Sequence, residues 1–381
     1  MSSLYHCSIN TIKNGQANTG AYIASPSFPN YQYCWLRDGS FIAHSMDLAN
    51  EYASAEDFFR WVDRVILRYS HKIVALEKCI RDGLPVGREA ILHTRFTLDG
   101  FEGTIDDTWG NFQVDGYGTW LWALAYHVRK TGHYGMLDEL KESIEMTVRY
   151  LELAWQLPNY DCWEEHPEYL HPYSLASLYG GLNAIALLEA EGRLVLPHLE
   201  PRKLAAKIKE FVLSYGTTEG RLVKHILPSN GDQPPMPLIE SAVDSSLLGM
   251  SIPFRLLDPL DPLMVETVKE IDRDLVHEDG GVYRYRADVY YGGGQWILLS
   301  AWKAIYNLRL GKRDLAIKMM TWIEDQADAQ GNLPEQVSRN LLAPTQYEVW
   351  LEKWGPIASP LLWSHAMYLI LYHELQESQT T

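Results

Sequence analysis

The chain has 381 residues, of which 46% are hydrophobic and 22% are charged, as is usual for a folded globular protein, and its formal net charge is −16. Because nucleic acids and anionic membranes bind basic surfaces, this charge argues against both as partners and is compatible with a neutral substrate. A chain of this length can bury a core that needs no disulfide or metal to hold it.

Cysteine, histidine and glycine patterns exclude several further classes of site. The four cysteines form no C-x-x-C pair, and His166 and His171 flank a proline-containing loop without the spacing of a metal site. The glycine clusters at 116–118 and 292–294 lack the patterns that bind phosphate or dinucleotides. The N-terminus has no apolar leader, and no window approaches the length of a membrane span. The sequence therefore predicts a cytoplasmic protein without a metal or cofactor.

Helical periodicity dominates the chain, and alternating strand patterns are scarce. Stretches with one charged face predict outer helices, whereas stretches that are apolar almost all round and rich in small and aromatic residues predict inner ones. After a short helix over 3–13, inner and outer helices alternate in this order: 39–50, 55–79, 116–130, 137–156, 173–190, 200–213, 244–256, 263–275, 293–308, 313–327 and 360–375. The alternation predicts an all-α fold, an (α/α)6 barrel that residues 1–381 form as a single domain.

The loops that precede the inner helices carry an unusual set of side chains. The chain has 13 Trp and 23 Tyr, and many of them lie in these loops beside Asp, Glu, Arg and Asn. In such a barrel these loops converge at one end, where flat apolar faces next to hydrogen-bonding groups suit a sugar ring. Residues 228–238 are rich in Pro and Gly and predict an excursion of the rim, not a linker between domains.

Two of these loops supply carboxylates. The stretch N-Y-D-C-W-E-E-H at 159–166 carries Glu164 and Glu165 behind a tryptophan, and the stretch L-P-E-Q carries Glu335. Taken singly, the first pattern is typical of a solvated helix start and the second of a surface turn. Together in one aromatic-lined pocket they are what glycoside hydrolysis needs. One carboxyl must be protonated to release the leaving oxygen, and the other must be ionised to activate water or attack carbon.

Five sequence blocks then suggest a family. They are Y-Q-Y-C-W-L-R-D-G at 31–39, W-G-N-F-Q-V-D-G at 109–116, W-E-E at 163–165, R-Y-R-A-D-V-Y-Y at 284–291 and L-P-E-Q at 333–336. On these blocks the chain resembles glycoside hydrolase family 15, the glucoamylase-type inverting exo-α-glucosidases, from about Thr19 to the C-terminus. The resemblance implies that Glu164 is the general acid and Glu335 the general base of one displacement that releases β-glucose. Their carboxyl groups would then stand roughly 6.5–9.5 Å apart, which leaves room for a water molecule.

The resemblance also implies residues that bind the sugar. Arg37 and Asp38 would hold the non-reducing-end glucose by its far hydroxyls, and Tyr31 would lie beside the nucleophilic water. Glu165 would bind the sugar of the leaving-group subsite, and Arg284 would touch the substrate across the scissile bond. The aromatic residues expected to line the pocket are Trp35, Trp109, Trp163, Tyr290 and Trp363. A place in the core at the top of the barrel explains Trp363 equally well.

Departures from the family pattern leave the substrate open. Asn111, Phe112 and Val114 stand where fungal relatives carry basic and proline residues, so α-1,4, α-1,6 and α,α-trehalose linkages all remain candidates. With neither a starch-binding module nor a β-sandwich in the sequence, we expect short soluble α-1,4 or α-1,6 glucosides as substrates. The alternatives are a trehalase of the same family, a non-catalytic carbohydrate-binding or regulatory protein on the same barrel, and a phosphorylase. An exposed aromatic patch would indicate a homodimer, but the sequence leaves the oligomeric state open.

Overall fold

The computed structural model describes residues 3–103, 109–239 and 242–378, and most of them are helical. The α-helices are α1 Ser3–Asn14, α2 Leu36–Leu48, α3 Tyr52–Arg68, α4 Ser70–Asp82, α5 Asp115–Thr131, α6 Gly135–Glu139, α7 Lys141–Ala154, α8 Pro172–Ala190, α9 Pro201–Tyr215, α10 Pro262–Asp274, α11 Ile297–Arg309, α12 Arg313–Glu324, α13 Tyr347–Trp354 and α14 Leu362–Glu377. Shorter 3-10 helices cover Pro29–Tyr31, Arg88–Ala90, Ser245–Met250, Tyr290–Gly292 and Pro344–Gln346. No helix in the described ranges combines the length and the apolar character that crossing a membrane requires.

Five long helices and one 3-10 helix form a closed inner ring. In this ring α14 packs on α2, α2 on α5 and α5 on α8. From α8 the ring continues through the 3-10 helix Ser245–Met250 to α11, which packs back on α14. Outer helices cover the ring, with α3 on α2, α9 on α8, α12 on α11 and α1 on α14. The (α/α)6 barrel predicted from the sequence is therefore confirmed.

The inner helices approach one another closely where their side chains are small. All of α2 is buried, which explains why its sequence is apolar or small almost all round. Between α5 and α8, a Cβ on Gly181 would lie 2.2 Å from the carbonyl oxygen of Gly118. The same crossing lets the Ser177 hydroxyl donate to the carbonyl oxygen of Asp115 at 3.1 Å. Glycine at this crossing therefore holds the first turn of α5, which belongs to the cavity end, tightly against α8.

Short antiparallel strands brace the loops. Strand β1 Cys34–Trp35 pairs with β2 Arg95–Phe96, β3 Thr217–Thr218 with β4 Arg221–Leu222, and β5 Ile226–Leu227 with β6 Met236–Pro237. A three-stranded sheet contains β7 Val282–Tyr283, β8 Gln295–Trp296 and β9 Gln336–Val337, with Trp296 opposite both Val282 and Gln336. Strand β8 leads directly into the inner helix α11, and β9 directly follows Glu335. The sheet therefore fixes Glu335 at the N-terminal end of an inner helix.

Several helix boundaries differ from the sequence prediction, and the helix predicted over 137–156 is divided at Leu140 into α6 and α7. The helix predicted over 244–256 is a 3-10 helix from Ser245 to Met250 only, because Pro253 lacks an N–H group and disfavours helical geometry before it. The helix predicted over 55–79 is divided at Tyr69 into α3 and α4. The inner helix predicted from residue 293 begins at Ile297, since Gly293 has a φ of +68° and lies in the preceding turn.

Candidate active site

The loops that lead into the inner helices enclose a cavity of about 750 Å³. All twelve residues singled out from the sequence line it: Tyr31, Trp35, Arg37, Asp38, Trp109, Trp163, Glu164, Glu165, Arg284, Tyr290, Glu335 and Trp363. They come from five separate loops and from the first turns of α2 and α14. The structure therefore brings every one of the predicted site residues together.

Glu335 lies in the loop between α12 and β9. Its N–H donates to the carbonyl oxygen of Ala358 at 2.9 Å, which fixes the backbone. Its Oε1 accepts a hydrogen bond from the Tyr31 hydroxyl at 3.0 Å, whereas Oε2 is buried without a hydrogen-bond partner among the described residues. Burial raises the pKa of Glu335 to about 8, although the Tyr31 hydrogen bond and the charge of Arg284 lower it. One oxygen of this carboxyl is therefore free to bind a polar group in the cavity.

Tyr31 links Glu335 to Tyr290. The two tyrosine hydroxyls lie 2.9 Å apart, so the three side chains form one hydrogen-bonded chain. Burial, together with the negative charge of Glu335, holds the pKa of the Tyr31 hydroxyl well above its usual value. Tyr31 is therefore a hydrogen-bond donor to the Glu335 carboxylate and not an anion beside it.

Glu164 is held by hydrogen-bond donors, not by apolar rings. Its Oε1 accepts from the indole N–H of Trp35 at 2.6 Å and from the amide of Gln113 at 3.0 Å. Its Oε2 accepts from the indole N–H of Trp109. Trp163, the tryptophan next to Glu164 in the sequence, does not donate to this carboxyl. Instead the Trp163 indole N–H points to Asp244, at 3.1 Å from both of its oxygens, and the donors to Glu164 come from two other loops.

The backbone at Glu164 has a conformation that a local turn enforces. Glu164 has a φ of +67°, in the left-handed region that few side chains adopt. Asp161 holds this turn, because its Oδ1 accepts from the N–H groups of Trp163 and Glu165, both at 2.9 Å. The carbonyl oxygen of Asp161 also accepts from the N–H of Glu164 at 2.9 Å. The turn therefore sends the side chains of Glu164 and Glu165 in different directions.

Glu165 meets the residues of the 284–291 block. Its Oε2 accepts a hydrogen bond from the Tyr285 hydroxyl at 2.5 Å, and its Oε1 lies 3.7 Å from the Arg284 guanidinium. Arg284 is buried and forms a two-pronged ion pair with Asp288, at 2.7 and 2.5 Å. Burial opposes the charge of Arg284, but Asp288 more than compensates, so its pKa stays well above the ordinary value. This corner of the cavity therefore combines fixed charges of both signs with an aromatic ring.

Arg37 and Asp38 lie in the first turn of α2 and face a buried polar network. The Arg37 guanidinium donates to Gln113 at 2.8 Å and to Asp115 at 2.9 Å, and it lies 3.9 Å from Glu164 Oε1. Asp38 Oδ2 is buried, 3.7 Å from the Arg37 guanidinium, and forms no hydrogen bond with any residue that the structure describes. Burial raises the pKa of Asp38 to about 7, and Arg37 opposes this rise. Such an arrangement suits hydroxyl groups, which can both donate and accept.

Sequence reasoning missed a second aromatic wall. Helix α13 was not predicted, and its Trp350, Lys353 and Trp354 line the cavity. The indole of Trp354 stacks on Trp109 with ring centroids 5.7 Å apart and an angle of 25°. The signal was present, because Tyr347, Trp350, Leu351 and Trp354 follow helical spacing. Gln113, in the second block, and Arg95, whose guanidinium lies over the Trp109 ring at 4.2 Å, were also missed.

Trp363 satisfies both of the readings that the sequence left open. It lines the cavity, where the Arg37 guanidinium lies 5.5 Å from the centre of its ring. It is also only 4% exposed and stacks on Phe41 in the core, with centroids 5.4 Å apart. The residue therefore joins the cavity floor to the barrel interior.

Among the described residues, three potential metal ligands lie together beneath this site. The ligand atoms of Asp161, His171 and His225 are all within 4.8 Å of one another. The two imidazoles already contact each other, with Nδ1 atoms 3.0 Å apart, and His171 Nε2 lies 2.6 Å from the Asn159 carbonyl oxygen. The ammonium of Lys224 lies 3.9 Å from Asp161 Oδ2 and supplies positive charge there. Because a second cation would be repelled at this distance, we assign no metal to the cluster.

A cavity at the loop end of an (α/α)6 barrel, with two loop-borne glutamates among tryptophans, defines a glycoside hydrolase. The family model described as glycosyl hydrolases family 15 matches residues 2–373, and the chain belongs to this family. The family predicted from the sequence is therefore confirmed. The protein is a glucoamylase-like exo-glucosidase, which sets aside the reading as a non-catalytic carbohydrate-binding protein.

Individual relatives agree with this assignment. The chain is 42% identical over 357 residues to an isomaltose glucohydrolase of Kribbella flavida, covering 93% of this chain and 88% of the relative. It is 24% identical over 322 residues to a protein of Sulfolobus acidocaldarius named trehalase 2, covering 78% of this chain and 52% of the relative. A solved structure of a glycosidase variant in complex with glucose superposes with a TM-score of 0.88 at 41% identity, covering 98% of this chain and 96% of that one.

Proposed function

We propose that the protein is an inverting hydrolase that removes β-glucose from the non-reducing end of short α-1,6-linked glucosides of the isomaltose type. The observation that carries the proposal is the pair of glutamates, Glu164 and Glu335, which line one cavity but are held by different partners. The relative from Kribbella flavida, named for isomaltose, favours the α-1,6 linkage over α-1,4. Because the relative named trehalase 2 is more distant, we rank the α,α-1,1 linkage third.

In the proposed reaction, Glu164 donates its proton to the glycosidic oxygen while the bond to the anomeric carbon breaks. Glu335 in its ionised form takes a proton from water, whose oxygen attacks the anomeric carbon from the opposite face. The products are β-glucose and the shortened alcohol or sugar, and the proton passes from Glu335 back to Glu164 through solvent. For this geometry the two carboxyl groups should stand roughly 6.5–9.5 Å apart.

The substrate glucose would be fixed by groups with unused hydrogen-bonding capacity. Asp38 Oδ2 and the indole N–H of Trp363 are buried without a hydrogen-bond partner among the described residues, so they are available to the far hydroxyls. Tyr31 would steady the ionised Glu335 beside the water. Glu165, Arg284 and the rings of Trp35, Trp109, Trp163 and Tyr290 would contact the two sugars on either side of the scissile bond.

Proton NMR tests the proposal directly. The enzyme is added to isomaltose, maltose and α,α-trehalose in separate tubes, and the anomeric signals of the released glucose are followed from the first minutes. We expect early β-glucose from isomaltose at a higher rate than from the other two. Glu335→Gln and Glu164→Gln should each abolish most of the signal while leaving the melting temperature close to that of the parent. Early α-glucose, or glucose release that depends on added phosphate, would refute the inverting hydrolase.

Three further expectations concern the domain organisation, the location and the oligomeric state of the protein. We propose that residues 1–381 act as one catalytic domain, which limited proteolysis would test by leaving the chain in one resistant fragment. We also propose a cytoplasmic location, which fractionation of the native cells would test. A homodimer, which an exposed aromatic patch would indicate, stays a prediction that light scattering would test.

A further inference from the structure

A buried lysine lies behind the loop that carries Glu164. Lys224 stands between β4 and β5, and its side chain is 8% exposed. Its ammonium lies 3.1 Å from Asp244 Oδ2 and 3.9 Å from Asp161 Oδ2. Burial opposes the charge of this ammonium, but Asp244 and then Asp161 outweigh it, so the pKa of Lys224 is raised overall. The lysine therefore stays charged inside the protein, between two carboxylates.

The two carboxylates that Lys224 contacts hold the residues on either side of Glu164 in the W-E-E triplet. Asp161 accepts the backbone N–H groups of Trp163 and Glu165. Asp244 accepts the indole N–H of Trp163 with both of its oxygens. One buried charge is therefore common to the two carboxylates that fix the turn on either side of Glu164.

A third contact extends from Lys224 toward the leaving-group side. The ammonium lies 3.5 Å from the centre of the Tyr285 ring, which is the distance of a strong cation–π contact. The hydroxyl of the same tyrosine donates to Glu165 Oε2 at 2.5 Å. Through these groups Lys224 is linked to Trp163 and Glu165, the residues on either side of Glu164, without lining the cavity itself.

We propose that Lys224 is a positioning residue for proton donation: it holds the loop 161–165 so that the Glu164 carboxyl meets the leaving oxygen. The inference rests on the proposed function, because the position of Glu164 matters only if this residue protonates the substrate. Removing the ammonium would leave the Asp161 and Asp244 side chains buried without the cation that both contact. Because a buried carboxyl that loses its ionic partner is strongly destabilised, the turn should relax and move Glu164.

A pair of substrates separates positioning from simple stability. Isomaltose has a sugar leaving group that must be protonated, whereas fluoride leaves from α-glucosyl fluoride without a proton from the enzyme. For Lys224→Met we expect kcat on isomaltose to fall by about 100-fold, the lower end of what general acid catalysis contributes, and kcat on the fluoride to fall by less than about 3-fold. Glu164→Gln should show the same selective loss, at least as large.

Lys303→Met is the matched control. Lys303 is also buried, 3% exposed, with its ammonium 3.0 Å from Asp272 and 2.7 Å from the Asn307 side chain, and it lies on α11 outside the cavity lining. Lys303→Met should have a lower melting temperature than the parent. Its kcat should fall equally on both substrates, by less than about 3-fold, which is small beside the contribution of general acid catalysis. If Lys224→Met also slows both substrates equally, Lys224 is only structural and the proposal is wrong.

Two further outcomes are decisive. If Lys224→Met does not fold, Lys224→Gln removes the charge but keeps a hydrogen-bond donor, and a selective loss on isomaltose with this variant supports the proposal. Equal rates on the two substrates relative to the parent would overturn it. If Glu164→Gln lowers kcat on isomaltose and on the fluoride by the same factor, Glu164 is not the general acid. The proposed function is then wrong, independently of the result for Lys224.

Discussion

The hydrogen bond between Tyr31 and Glu335 allows a prediction of the pH dependence of activity. Tyr31→Phe removes the donor at 3.0 Å from Glu335 Oε1 and keeps the ring. A hydrogen bond to a charged group contributes about 1.5–3 kcal/mol, and 1.36 kcal/mol corresponds to one pKa unit. Because the bond favours the ionised carboxylate, its loss should raise the pKa of Glu335 by about 1 to 2 above its present value.

The sign of the effect on activity follows from the proposed role of Glu335 as the general base. The residue must be ionised to act as a base, and its pKa is already raised to about 8 by burial, so the active form is lost as the pH falls through that value. In Tyr31→Phe the acidic limb of kcat/KM should move to higher pH, and kcat/KM at pH 7 should fall by about 10- to 100-fold. At pH values above the new limb much of the activity should return.

The measurement is the pH profile of kcat/KM for isomaltose, in the parent and in two variants. Tyr22→Phe is the control, since this buried tyrosine loses a hydrogen bond of 2.6 Å to Ser54 away from the cavity. Its limb should coincide with that of the parent. A uniform loss in Tyr31→Phe at every pH, without movement of the limb, would show that Tyr31 does not act through the charge of Glu335.

Three shorter predictions concern binding and stability. Asp115→Asn weakens a buried pair with Arg37, so we expect a loss of about 3–5 kcal/mol in unfolding free energy, measured by urea titration, and a higher KM for isomaltose. Gly181→Ala forces a Cβ into the α5 backbone and should cost at least about 1–3 kcal/mol by the same titration, with kcat nearly unchanged. Trp354→Ala removes a stack on Trp109 of about 0.5–1.5 kcal/mol and should raise KM for isomaltose up to about tenfold, with kcat less affected in initial-rate assays.

The sequence predicted the barrel because the inner helices are buried all round and the outer ones on a single face. That pattern extends over a whole helix, so it identifies the helix even where the predicted first and last residues are wrong. It failed over 244–256, where the apolar run is real but Pro253 stops the helix, so a 3-10 helix fills the fourth inner position. It also missed α13, a helix of eight residues without a buried residue, whose aromatic spacing is helical but whose partner is the cavity rim.

Short sequence blocks predicted most of the site. Glu164, Glu335 and nine of the ten other predicted residues lie in the five blocks, and Trp363 lies outside them. Lys224 and Asp244 could not be found in this way, because neither lies in a block and their importance arises only from contact across the fold. Buried charges of this kind are paired by tertiary structure, and their partners are not close in sequence.

The hydrogen bonds around Glu164 distinguish its two oxygens. The indole of tryptophan is a donor as well as an apolar ring, and Trp35 and Trp109 turn this donor toward the carboxyl. Among the described residues, Oε1 already accepts from both Trp35 and Gln113, which occupies its two lone pairs. Within the described ranges only Trp109 donates to Oε2, so this oxygen retains one lone pair for a further partner. We therefore expect the transferable proton on Oε2, aimed at the glycosidic oxygen, with the Oε1 donors fixing its direction.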